Sequence, residues 1–277
     1  MRNFHAIALL FLAVIPGQGR AAEGGGHRTT RELQAFLENP TAFDTLNLTS
    51  RNVGDCPKGE RARVLAEALT VNATLTTLNL YNTFLEPEEA RVLAEALKVN
   101  ATLTILVLSQ NEIKDEGVSA LAEALKVNAT LTTLTLNHNR MGNAGAIALA
   151  EALKVNATLT TLTLEENFWT SVDGNGLFTI NQGIGAAGTT ALAEALKVNR
   201  FLTTLDLKNH RILQEGGDIA LTAISQRLER NKRNKPFNLR TCWVILLCGY
   251  KQGESTVLPT LPPEIWEIIL RGDGETP

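Results

Sequence analysis

The apolar residues of this chain fall into two alternating patterns, and the segment 103–130 shows both. Leu103, Leu106 and Leu108 have the spacing L-x-x-L-x-L. Because alternate residues of a strand point to opposite faces, Leu106 and Leu108 share one face and Ile105 and Val107 share the other. We therefore predict a short strand whose leucines enter a core and whose other face is open.

The second half of this segment changes to a helical period. Its apolar residues have the spacing i, i+3, i+4, i+7, at Val118, Leu121, Ala122 and Leu125. That spacing places them on one stripe of a helix. Neither the strand nor the helix can bury its apolar face alone, so the pattern indicates that neighbouring units stack.

Most of the chain repeats this strand and helix. The sequence Ala-Glu-Ala-Leu occurs at 66–69, 94–97, 122–125, 150–153 and 193–196. Successive units begin at Leu75, Leu103, Leu131 and Leu159, which are 28 residues apart. A fixed period of this size is typical of a solenoid.

The unit resembles the leucine-rich repeats of the ribonuclease-inhibitor type, through L-x-x-L-x-L-x-x-N at 103–111 and the 28-residue strand–helix length. That group includes intracellular innate-immune receptors and the activator of the Ran GTPase. The resemblance extends from about Phe43 to Arg230. It implies an α/β fold: a right-handed solenoid, curved like a horseshoe, of about six strand–helix repeats with a parallel sheet on its concave side.

The sequence outside the repeats suggests four regions. Residues 1–22 have the pattern of a secretory signal peptide, with Arg2, a ten-residue apolar run and the small-x-small sequence Gly19-Arg20-Ala21. An apolar N-terminal helix is the alternative. Residues 23–42 are expected to form a spacer and cap helix, 43–232 the repeats, and 233–277 a C-terminal cap and tail. The compartment is the secretory pathway if 1–22 is cleaved, and otherwise the cytoplasm.

Within the tail, the segment 261–270 reads LPPEIWEIIL. It resembles the opening helix of an F-box, a module that docks substrate receptors onto ubiquitin ligases, but it covers only about ten residues of that module. The alternative is a capping helix that packs on the last repeat.

The repeats also contain the sequence Asn-Ala-Thr, at Asn72, Asn100, Asn128 and Asn156. These are formal N-glycosylation acceptors, as is Asn47. The repeat itself offers another explanation, because an asparagine can end a helix in the left-handed conformation. We expect that conformation at these four positions.

The composition argues against most kinds of chemistry. The net charge of −3 gives no basic field for nucleic acid. The four histidines are dispersed, the three cysteines make no disulfide framework, and no catalytic constellation can be assembled. A G-x-G-x-x-G sequence at 183–188 precedes a helix, but Gly188 aligns with Gly117 and Gly145 of other units. We therefore expect no cofactor, no metal and no enzymatic activity.

The fifth repeat carries 15 additional residues, because Leu159 and Leu202 are 43 residues apart. We place the insertion in the loop after the strand, within 168–183. Insertions in solenoids often map to the binding face. This one carries Phe168, Trp169 and Phe178, which are candidate interface anchors or, alternatively, a local cluster.

The outward strand face and this loop form the candidate binding surface. The residues that we single out on it are Tyr81, Ile105, Val107, Asn137, Glu165, Phe168, Trp169 and Asp206. The sequence thus favours a monomeric, non-catalytic scaffold for a protein partner of unknown identity. Two alternatives remain open: an activator of a small GTPase, and a substrate receptor of a ubiquitin ligase.

Overall fold

The computed structural model describes residues 36, 39, 42–49, 60–172, 178–181, 183–208 and 217–233. The predicted signal peptide 1–22 and the F-box-like segment 261–270 lie outside these residues. So do most of the predicted cap 23–42 and all of the tail 233–277 except Arg233.

Strands and helices alternate along the described chain. The strands are β1 Thr45–Asn47, β2 Thr77–Asn79, β3 Ile105–Val107, β4 Thr133–Thr135, β5 Thr161–Thr163, β6 Trp169–Val172, β7 Phe178–Asn181 and β8 Thr204–Asp206. The helices are α1 Glu60–Val71, α2 Pro87–Val99, α3 Lys114–Leu125, α4 Asn143–Leu153, α5 Ala186–Val198 and α6 Gly217–Arg233.

Six of the strands form one open parallel sheet, in the order β1-β2-β3-β4-β5-β8. Each helix packs against the helix of the next unit. The predicted strand–helix solenoid is therefore confirmed. The insertion follows β5 as predicted, and β6 and β7 pair within it as an antiparallel hairpin.

The core is a set of columns that run through the stack. The central leucines of the strands lie in register, as Leu46, Leu78, Leu106, Leu134, Leu162 and Leu205. The second leucine of each strand region and the Ala-Leu stripe of each helix are buried beside them. Each inner unit of the described stack thus buries its apolar face against two neighbours.

The asparagines of the Asn-Ala-Thr sequences tie each unit to the one before it. Asn128 is buried, and its side-chain Nδ2 donates to the carbonyl oxygens of Leu97, at 2.7 Å, and Asn100, at 3.2 Å. Its Oδ1 accepts the backbone N–H groups of Thr130, at 3.1 Å, and Leu131, at 2.8 Å. One side chain therefore satisfies backbone groups of the preceding unit, its own unit and the start of the next unit. Equivalent contacts recur at Asn100, Asn156 and Asn199.

The left-handed conformation predicted for these asparagines is wrong. Asn100 has φ −70° and ψ 128°, which is extended backbone, and none of Asn72, Asn128 and Asn156 has a positive φ either. The extended backbone leads directly into the next strand while the side chain turns inward. The repeat thus accounts for the sequence Asn-Ala-Thr through side-chain bonding across units rather than through a local helix cap.

A second asparagine series follows the strands. Asn111 Nδ2 donates to the Leu80 and Leu108 carbonyl oxygens, each at 2.8 Å, and its Oδ1 accepts the N–H groups of Thr83 and Leu85. Asn167 repeats this pattern in the fifth unit, where the sequence alone had not suggested it.

In the second unit Thr83 occupies the position of this asparagine. Thr83 is fully buried, and its Oγ1 donates to the Leu80 carbonyl oxygen at 2.9 Å.

Other side chains cover the described ends of the stack. At the N-terminal end, Phe36 is helical and fully buried, and it packs edge-to-face on Phe43 with ring centroids 6.0 Å apart. In α6, Arg230 Nη2 donates to the carbonyl oxygens of Leu196 and Asn199 at 3.0 and 2.9 Å. Arg230 therefore bonds the same carbonyl positions that Asn199 bonds in the unit before it.

The asparagine contacts yield a stability prediction. Asn128→Ala leaves the Leu97 carbonyl and the Leu131 N–H buried without their partner, and each such group costs about 1–3 kcal/mol. We expect the free energy of unfolding, measured by urea titration, to fall by about 2–5 kcal/mol. The control Lys126→Ala removes only a surface ion pair with Glu123 and should cost less than about 1 kcal/mol. An equal loss of unfolding free energy in the two variants would contradict the role given to Asn128.

Candidate functional site

The face of the six-stranded sheet that points away from the leucine core is accessible to a partner; we call it the outer strand face. Thr45, Asn47 and Thr204 are exposed at its two sides, and the outward residues of β2 to β5 are half-buried. Threonine fills most of these positions, because its branched side chain suits a strand and needs no core. The residues that depart from threonine are therefore the ones to examine for function.

An apolar group occupies the face at β2 and β3. Ile105 and Val107 stand in register with Thr77 and Asn79 on one side and with Thr133 and Thr135 on the other. Tyr81 lies just beyond β2 and is 37% exposed.

Phe84 extends the apolar group at the turn after β2, and it was missed at the level of sequence. Its side chain is 52% exposed, and its backbone has φ 57°, a conformation that is rare for bulky residues. Arg140, at the equivalent position two units later, also has φ 57°, so this turn geometry belongs to the repeat. The signal was present in the repeat, because Phe84 aligns with Phe168, which is among the predicted site residues.

Phe84 and Phe168 are the ends of a row along the edge of the sheet. The residues of this row lie four positions after the last leucine of each L-x-x-L-x-L sequence. We call the row the rim: Phe84, Glu112, Arg140 and Phe168. Between the aromatic ends, Arg140 Nη2 and Glu112 Oε1 form an ion pair at 2.8 Å. Phe168 is 43% exposed at the start of the hairpin. The rim therefore has two accessible rings separated by a neutralised charge pair.

The far side of the face is a bonded acidic group. Asn137 Nδ2 donates to Glu165 Oε2 at 3.2 Å, and the Glu165 N–H donates to Asn137 Oδ1 at 3.0 Å. Lys208 Nζ donates to Asp206 Oδ2 at 2.7 Å and reaches Glu165 Oε1 at 3.5 Å. The structure thus brings three of the predicted site residues together: Asn137, Glu165 and Asp206.

The acidic group also shapes the titration of its members. Partial burial by itself would raise the pKa of Asp206, but the hydrogen bonds from the Lys208 ammonium and backbone N–H outweigh it and leave that pKa lowered. The hydrogen bond to Asp206 and the charge of that carboxylate in turn raise the pKa of Lys208. Both groups are therefore held in their charged forms at neutral pH.

The predicted site residues thus fall into three places. Tyr81, Ile105 and Val107 form the apolar group, Asn137, Glu165 and Asp206 the acidic group, and Phe168 lies on the rim. Trp169 is the first residue of β6, but its side chain is outside the described part of the structure.

The glycine motif at 183–188 has a structural explanation. Asn143, from the preceding unit, accepts the backbone N–H groups of Gly185 and Gly188 with one Oδ1 atom, at 2.8 and 2.9 Å. A Cβ at position 188 would lie 2.8 Å from Ala146 Cβ and 2.9 Å from that Oδ1, so only glycine fits. Asp115 caps α4 in the same way, through the N–H groups of Gly142 and Gly145. The amides that a phosphate would need are therefore already bonded.

Among the described residues, no three His, Cys, Asp or Glu side chains come close enough to hold a metal ion. No helix in the described part of the chain combines the length and apolarity that a bilayer crossing requires.

Comparison with known sequences agrees with this geometry. The family described as Leucine Rich repeat matches residues 99–122 and 127–150, which span the units of β3 and β4. These units are leucine-rich repeats of the ribonuclease-inhibitor-like type. No curated protein matches the chain.

Two solved structures share the fold at a TM-score of 0.50 or 0.51, and a third is less similar. The structure of leiomodin-1 actin-binding site 2 superimposes with a TM-score of 0.51 at 22% identity, and the match covers 72% of this chain and 99% of that one. The tropomodulin C-terminal domain of Caenorhabditis elegans gives a TM-score of 0.50 at 18% identity, covering 67% and 98%. A leucine-rich-repeat protein of Legionella pneumophila, LegL7, gives 0.39 at 18% identity, covering 73% and 68%. At these identities the likeness to the first two structures concerns the fold alone.

The acidic group generates a titration prediction. Because the folded pKa of Asp206 is lowered, its ion pair stabilises the fold at neutral pH, and this contribution is lost as the pH falls through that pKa. We expect Lys208→Ala to raise the pKa of Asp206, measured by NMR titration of its carboxyl carbon. Lys126→Ala is the matched control and should leave it in place. An unchanged pKa in Lys208→Ala would show that the pair does not form.

The shared cap generates a second prediction. Asn143→Ala should lower the free energy of unfolding by about 1–2 kcal/mol, since a lost N-cap costs about that much. Asn143→Asp keeps the accepting oxygen, places a negative charge at the start of a helix and mimics Asp115, so it should retain the wild-type stability. Urea titration of the three proteins separates these outcomes. The assignment is wrong if Asn143→Ala is as stable as the wild type.

Proposed function

We propose that this chain is a non-catalytic protein-binding scaffold that uses the outer strand face and the 168–183 segment. The observation that carries the proposal is the apolar group on an otherwise threonine-rich face. The strands do not require it, because Thr133 and Thr135 occupy the positions of Ile105 and Val107 in the next unit. Exposed aromatic residues with apolar neighbours are the usual anchors of protein interfaces.

The hairpin supports the same reading. It follows β5 at the edge of the strand face and begins beside the exposed Phe168. A partner on the strand face would lie next to it. The two-stranded pairing gives this insertion a defined backbone, which lowers the entropy that binding has to remove.

The similar region of leiomodin-1 is an actin-binding site. This similarity supports protein binding as a use of this fold. Actin is therefore the first candidate partner to test for binding. Neither the small-GTPase nor the ubiquitin-ligase alternative gains support from the described residues or the comparisons. We propose neither of them.

The test compares two double variants of equal chemistry. Ile105→Thr with Val107→Thr introduces the two threonines that the next unit has at these positions, so the strands should fold normally. Val127→Thr with Val155→Thr makes the same exchange at the exposed ends of α3 and α4, where these valines are 62% and 63% exposed. We expect affinity capture with quantitative mass spectrometry to identify partners of the wild type. The strand-face variant should capture about tenfold less of them or lower, as for an interface hot spot.

A third variant examines the hairpin. Deleting 169–183 removes 15 residues and restores the 28-residue spacing of the other units. We expect it to reduce capture of the same partners. The proposal fails if the strand-face variant and the helix-end variant recover the same proteins in the same amounts.

A further inference from the structure

The two ends of the binding surface differ in chemistry. We call Tyr81, Phe84 and Val107 the apolar end. We call Glu165, Glu166 and Asp206, together with the ring of Phe168, the acidic end. The Glu112–Arg140 ion pair lies between them on the rim and contributes no net charge.

Among the described residues, the acidic end has more carboxylates than ammonium groups. Lys208 Nζ lies near the carboxylates of both Glu165 and Asp206, and the His138 imidazole lies 3.3 Å from Glu166. The three described carboxylates therefore outnumber the one ammonium by two. The side chains of Glu165, Glu166 and Asp206 keep 31%, 34% and 23% of their surface in contact with solvent.

The exposed ring of Phe168, which follows Glu166 by two residues in the chain, distinguishes among the cations that the acidic end could bind. A guanidinium stacks on an aromatic face and binds carboxylates with two hydrogen bonds at once. An ammonium does only part of this. The combination of carboxylates and one accessible ring therefore favours arginine over lysine.

The distance between the ends sets the length of the ligand. The apolar end is centred on β2 and β3, and the acidic end on β5 and β8, about three strand spacings apart across the sheet. At about 4.8 Å per strand this is about 14 Å, or about four residues of extended chain at 3.3–3.4 Å each.

We propose that the strand face binds one extended peptide segment of the partner, crossing the strands, with an apolar side chain at Tyr81 and Phe84 and an arginine about four residues away at Glu165 and Glu166. This inference rests on the proposed function and specifies its partner. Nucleic acid is disfavoured, because the excess carboxylates repel phosphate.

The repeat provides neutral replacements for each end. Glu165→Asn and Glu166→Gln copy Asn137 and Gln110, which occupy the same positions in other units, and Gln110 has a positive φ like that of Glu166. Tyr81→Asn copies Asn137, and Phe84→Asn introduces a residue that tolerates the left-handed conformation. The first pair is the acidic-end variant and the second the apolar-end variant. Both should keep the wild-type urea midpoint.

The probe is a phage-displayed library of random dodecapeptides, selected against the immobilised full chain. We expect enriched peptides with an aliphatic or aromatic residue and an arginine three to five positions apart. A synthetic peptide of the consensus should bind about tenfold or more weakly to the acidic-end variant, and its binding to the wild type should weaken as salt increases. Selection on the acidic-end variant should lose the arginine and keep the apolar residue, and the apolar-end variant should do the reverse.

Several results would overturn the inference: no enrichment, a consensus without a basic residue, or a consensus whose binding neither variant changes. These differ from a failure of the proposed function. If capture of whole proteins depends on Ile105 and Val107 but the peptides lack this pattern, only the bipartite segment is wrong. If capture does not depend on the strand face, both are wrong.

Discussion

The backbone polar groups between each helix and the next strand are buried in the stack, and they must be bonded there for the units to pack. A buried N–H or carbonyl without a partner costs as much as several surface interactions supply. Asn100, Asn128, Asn156 and Asn199 meet this need by donating to the unit before and accepting from the start of the next unit. Leucine packing provides the driving force, but these contacts fix the register in which units stack.

The other features of the solenoid follow from that close stacking. The helix starts are capped by Asp115 and Asn143 of the preceding units, so the capped residues must be glycine where a Cβ would strike the cap. At the last described helix, Arg230 reaches the same carbonyl positions from a longer side chain. The polar interior is thus completed by different residues wherever the repeat pattern ends.

The sequence could predict the elements because leucine spacing is a local signal. The register, the inward leucines and the position of the insertion all follow from it. The role of Asn128 could not be found in this way, because its partners Leu97 and Asn100 belong to another unit and a local capping rule gave the wrong conformation. Phe84 was missed for a related reason: outside the insertion only alternate strand positions were considered, whereas Phe84 lies in the turn after β2. The bonds among Asn137, Glu165 and Lys208 join three units and required the folded register.

Whether asparagine side chains satisfy these buried amides can be measured by amide hydrogen exchange in the native protein, followed by NMR. We predict that the N–H groups of Leu103, Leu131 and Leu159, each 2.8 Å from an asparagine Oδ1, exchange as slowly as the hydrogen-bonded amides of the central strands. Exchange of these three amides at the rate of solvent-exposed turns would contradict the role given to the asparagines.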